Sequence, residues 1–184
     1  MEFAAYLKTF LGLLAVVDPF IAVPMFLALT PEFGSMDRKR VARIASATVF
    51  CVLTAALFIG APLLSFFGIS LPAFKVAGAA ILFMSAISSF NATPGRVRQT
   101  PEEEAEAHDK HAIGVVPIGM PLLAGPGAIS MVIVYSSSYS GGTVSDFAHL
   151  AGMCGVIALI ALITWLCLRA AQKVSKRLGV TGMN

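Results

Sequence analysis

Apolar residues in this chain come in long blocks, with the polar residues gathered between them. About twenty such residues are needed to cross a hydrocarbon layer roughly 30 Å thick. On that measure the blocks predict five spanning helices, near residues 6–29, 42–66, 72–90, 113–135 and 147–168. Helices are the expected element, because inside lipid every backbone N–H and C=O must find a partner within its own segment. The pattern therefore predicts an all-α, polytopic helical membrane protein with one transmembrane domain over residues 1–184.

Two blocks carry residues that a spanning helix should not tolerate. The run VVPIGMPLLAGPGAIS (115–130) holds Pro117, Pro121 and Pro126 among Gly119, Gly125 and Gly127, and VVDPFIAVPMF (16–26) holds Asp18, Pro19 and Pro24. Each proline removes a backbone donor and disfavours helix at the residue before it. Neither stretch can be one unbroken helix. Irregular backbone at membrane depth persists only where it is buried in protein or lines a cavity, so both breaks are expected at a site.

Charge gives the direction of each span. The connections after successive spans hold four basic residues (Arg38, Lys39, Arg40, Arg43), none, three (Arg96, Arg98, Lys110), none and four (Arg169, Lys173, Lys176, Arg177), leaving only Lys8 and Lys75 on the other side. The positive-inside rule then places the N-terminus outside and the polar segment 91–111 in the cytoplasm. Span one enters from outside and span four from inside, so any kinship between them is inverted. DPFIAVPMFLALT from Asp18 can be laid over GPGAISMVIVYSS from Gly125 at the X-Pro step. This predicts an inverted 3+3 repeat, with repeat one near 1–91 and an incomplete repeat two near 112–184 whose sixth helix is missing from the chain. Such repeats with broken first helices are a design of secondary transporters.

Composition agrees with a membrane protein. The chain is 57% hydrophobic and 12% charged, about half the charge of a soluble domain. Its net charge of +3 is spread over span ends and forms no nucleic-acid patch. Cys51, Cys154 and Cys167 lie inside apolar runs, suggesting neither a disulfide framework nor a metal cluster. The run EEEAEAHDKH, with His108 and His111, matches no metal-ligand spacing and reads as a solvated loop. No hydrolase, P-loop or dinucleotide-binding fingerprint occurs, and an enzyme is not expected. No cofactor is implied beyond Na⁺ or H⁺ as candidate coupling ions.

Asp18 is the one acidic residue deep within a span, where ionised carboxylates cost about 2.5–3.5 kcal/mol unless partnered. Asp followed by Pro can be N-cap and first residue of a half-helix starting at Pro19. It can equally be a ligand for a cation, a proton or a substrate ammonium. A helix starting at Pro126 would offer free amides and its positive dipole end at Gly125–Gly127, a seat for a carboxylate, though Gly and Pro there can also serve close helix packing. Together Asp18, Pro19, Gly125, Pro126, Gly127 and Ala128 suit a small zwitterion. Ser85, Ser88, Ser89, Ser130, Thr48 and Thr54 are candidates for interhelical hydrogen bonds, and Lys75 for snorkelling to the interface.

The stretches DPFIAVPMFLALT, FKVAGAAILFMSAIS and VVPIGMPLLAGPGAIS resemble the MarC family of bacterial inner-membrane proteins, over essentially the whole chain. The resemblance implies a carrier of small neutral amino acids such as glycine or alanine, with the two breaks flanking the substrate path. The lipid bilayer is the expected partner of such a chain, and a homo-oligomer is one assembly open to it. Two features depart from the family: a sixth hydrophobic helix is absent, and Gly78-Ala79 stands where relatives often have Gly-Gly. A non-transporting regulatory partner and an inactive shortened paralogue are the alternatives.

Overall fold

The computed structural model describes residues 2–30, 33–91, 119, 123–137 and 144–178. Among them the chain forms helices only: α1 (Glu2–Val17), α2 (Ala22–Leu29), α3 (Ser35–Phe66), α4 (Leu71–Asn91), α5 (Pro126–Ser137) and α6 (Val144–Leu178). Three segments are long and apolar enough to cross a membrane, Ala4–Leu29 (α1 with α2), Ser35–Phe66 and His149–Ala171, and Leu71–Met84 and Pro126–Ser137 are shorter apolar helices. The predicted polar segment 91–111 lies outside the described residues, apart from Asn91 at the end of α4.

Helix α3 begins earlier than the hydrophobic block suggests. Arg38, Lys39, Arg40 and Arg43 are its first turns rather than a loop. One of them ties α2 to α3. Arg38 Nε donates to the carbonyl of Thr30 at 2.8 Å, and Thr30, fully buried, returns its hydroxyl to the Phe26 carbonyl at 2.7 Å. A cation thus closes the negative end of α2.

The connection between α3 and α4 is a tight turn written in its sequence. Gly68 has φ +66, Ile69 N–H reaches the Leu64 carbonyl at 2.9 Å, and Gly68 N–H reaches that of Ser65 at 3.1 Å. This is the Schellman closure of a helix, which needs a residue free to take positive φ. Ser70 then caps α4, its hydroxyl accepting Ala73 N–H at 3.4 Å. The connection from α3 to α4 is thus made by eight uncharged residues, 65–72.

Helix α5 packs on α1, α3 and α4, while α6 packs on α1, α2 and α3. Lipid tails are as apolar as leucine, so these contacts depend on close fit rather than on escape from water. The fit comes from glycine notches. The Met131 methyl sits over Gly12 of α1, Ile133 over Gly60 of α3, and Ser130 against Gly78 of α4. In return, Gly127 of α5 receives Leu82 of α4 and Val16 of α1. Ser136 adds a polar clasp, donating to the Leu57 carbonyl at 3.2 Å, just before the turn of α3 that Pro62 weakens.

Gly60 faces a β-branched side chain that has little room to move, whereas nothing lies within 4 Å of a Cβ added at Gly155. Gly60→Ala is expected to cost about 1–3 kcal/mol by overpacking, and Gly155→Ala to gain up to about 1 kcal/mol. Unfolding midpoints of the two variants in detergent should move in opposite directions.

Candidate functional site

The first break is a reversal at Asp18. Its N–H completes the last turn of α1 by donating to Leu14 at 3.0 Å, and its φ of +37 places it in the left-handed region. Asp and Asn are among the few non-glycine residues that tolerate that region. The carboxylate is therefore not the N-cap of a half-helix starting at Pro19. Helix α2 starts at Ala22, and its N-cap is Ile21, without a side-chain cap. Asp18 ends a helix instead of beginning one.

The carbonyls of Ala15, Val16 and Val17 are released by this turn. Pro19 has no N–H to offer Ala15, no backbone N–H reaches Val16 among the described residues, and the Ile21 N–H that would serve Val17 goes to Asp18 at 3.2 Å. Pro19 is buried, and the Asp18 side chain is half-buried. Among the described residues that side chain makes no hydrogen bond or ion pair. Lys75, the cation nearest in depth on α4, is exposed.

The second break follows the proline logic. Helix α5 starts at Pro126, and the Gly125 carbonyl accepts Ile129 N–H at 3.1 Å as its first turn. Just before it, Ala124 N–H reaches back five residues to Gly119 at 3.0 Å, a wide turn in place of a regular one. Leu123, Ala124, Gly127 and Ala128 are buried, Gly125 is half-buried, and Pro126 is exposed. Gly127 is not open to a ligand in this conformation, since Leu82 and Val16 cover it.

The packing of α1 on α5 sets the two breaks level. Met131 lies over Gly12, and Val16 lies over Gly127. Four residues forward on α1 thus match four residues back on α5, the register of an antiparallel pair. Two residues further, the same register sets Asp18 level with Gly125.

Comparison with known proteins follows the same stretches. The model of the MarC family integral membrane proteins matches residues 3–184. This chain belongs to the MarC family. A UPF0056 membrane protein of Buchnera aphidicola from Schizaphis graminum is 38% identical over 183 residues, covering 100% of this chain and 82% of that protein. The UPF0056 membrane protein YhcE of Escherichia coli is 35% identical over 183 residues, covering 100% and 83%. YvbG of Bacillus subtilis is 36% identical over 185 residues, covering 100% and 85%. No solved structure matches. The MarC chain is thus an integral membrane protein with several apolar helices.

Other polar residues of this MarC chain are spent on local structure. Thr9, Ser46, Ser137 and Thr164 each donate to the carbonyl four residues back. Thr54 differs, its buried hydroxyl having no partner among the described residues. Ser85, Ser88 and Ser89 lie on α4, and their side chains fall outside the described residues. Sequence reasoning missed Tyr6 and His149, whose rings stack at 5.7 Å. The available signal was a lone histidine at the start of the last apolar block.

The backbone at Asp18 gives a test that separates shape from charge. Asp18→Gly and Asp18→Asn should keep the unfolding midpoint within error, and Asp18→Val should lower stability by about 1–2 kcal/mol, because a β-branched residue resists positive φ.

Proposed function

We propose that this MarC-family protein is a secondary transporter of small neutral amino acids, such as glycine or alanine, working by alternating access in a bacterial inner membrane. In this proposal the N-terminus is outside and segment 91–111 is cytoplasmic. The observation that carries it is the antiparallel register of α1 and α5, which sets the Asp18 break level with the Gly125 break. A zwitterion placed between them would set its ammonium against Asp18 and the released carbonyls of Ala15 and Val17. Its carboxylate would face the amides at the start of α5. With Leu82 and Val16 filling the space over Gly127, only a small side chain would be accommodated.

The helix contacts support two inverted halves. Exchange of span one with span four and span two with span five sets α2 over α5 and α3 over α6, turning the α3–α6 contact into itself and α3–α5 into α2–α6. The same exchange superposes Asp18–Pro19 on Gly125–Pro126. These residues are also level in the register, so a two-fold axis in the membrane plane would run between the breaks. Helices α1 to α4 would then be one half, α5 and α6 the other, and rocking between them would expose the breaks to each side in turn.

Purified protein in liposomes should accumulate labelled glycine or alanine under a Na⁺ or H⁺ gradient. Asp18→Asn, which keeps the backbone, should reduce the initial rate at least tenfold. No uptake by folded wild-type protein would remove the carrier proposal, and an unchanged rate in the Asn variant would remove the carboxylate from it.

A further inference from the structure

We propose that Tyr6 and His149 are the gate that closes the transport path at the end of the bundle where α1 and α6 begin, a proposal that rests on the carrier reading above. The Tyr6 hydroxyl lies 3.2 Å from His149 Nδ1, a hydrogen bond, and the two rings stack with 5.7 Å between centroids and 26° between planes. Beneath them Gly152 gives way to the tyrosine ring, whose Cε1, Cζ and hydroxyl oxygen lie 2.7–2.8 Å from where a Cβ would stand. Both residues are half-buried, and Tyr6 packs on the apolar core.

The position of this pair gives it its role. Helix α1 belongs to the first half and α6 to the second, so the contact joins the two bodies that alternating access must separate. Tyr6 is about 18 Å along the helix from the Asp18 break, which puts the pair at the mouth and not at the site. The chemistry suits a contact that parts and reforms. Met131 over Gly12 and Ile133 over Gly60 are interlocked apolar fits, whereas ring stacking over a bare glycine presents a flat surface. The Tyr6–His149 hydrogen bond across it can be replaced by water when the mouth opens, because each partner has a polar tip.

A parted gate is required in every cycle, so a covalent tie across it must stop transport without harming the fold. The free cysteines Cys51, Cys154 and Cys167 are first replaced by alanine to give a cysteine-less parent. Tyr6→Cys and His149→Cys are then introduced together, the protein is reconstituted in liposomes, and cross-linking by a short bis-methanethiosulfonate reagent, long enough to replace the tyrosine ring, is followed by intact mass. The expected result is efficient cross-linking, loss of at least nine-tenths of glycine uptake in the cross-linked form, and recovery on reduction. Uptake by the cross-linked form at the rate of the reduced form would overturn the gate and leave the carrier reading standing. Failure of the cross-link to form would also overturn it, because the two positions would not meet. Absence of uptake by the parent would overturn the carrier reading and the gate with it.

Discussion

In hydrocarbon a backbone N–H or C=O without a partner costs several kcal/mol, and this constraint decides where the chain is regular and where it is not. Most of it obeys by forming long helices. At two places it carries prolines that forbid compliance, and there the structure finds other solutions. At Asp18 the helix closes with a positive-φ residue and resumes four residues later. At Gly119–Ala124 a five-residue reach replaces the usual four. Pro19, Leu123, Ala124 and Gly127 of the two breaks are buried, where α5 is wedged among α1, α3 and α4.

That wedging depends on small residues. Gly12, Gly60 and Gly78 each admit a side chain of α5, and Gly127 admits one of α4. The notches do more than hold helices together. Those at Gly12 and Gly127 fix the register between α1 and α5, and with it the depth at which one break stands relative to the other. Packing and proposed function meet at Gly127, a residue of the first turn of α5 whose missing side chain seats Leu82.

Much of this was legible in the sequence. Block lengths marked the three long apolar segments among the five expected, prolines marked both breaks, and the start of α5 at Pro126 follows from Gly-Pro-Gly alone. Asp-Pro misled in detail. Its letters suit an N-cap with a first helical residue, but the preceding apolar run is long enough to carry α1 through to Val17, so the aspartate became a terminator. The basic cluster 38–43 read as a loop because apolar content, not helical propensity, marked span edges; helix α3 runs straight through it. Of the Tyr6–His149 pair only the histidine was marked by its place in the sequence, and nothing local names a partner 143 positions away.

The central claim is that the two breaks stand level with one another across α1 and α5. A cysteine fixed at Pro19, paired in turn with one at each position from 123 to 128, measures this directly by cross-linking yield in membranes of the otherwise cysteine-less protein. The account predicts a single maximum at Ala124 or Gly125. A maximum displaced by a helical turn or more, or uniformly absent cross-linking, would contradict it.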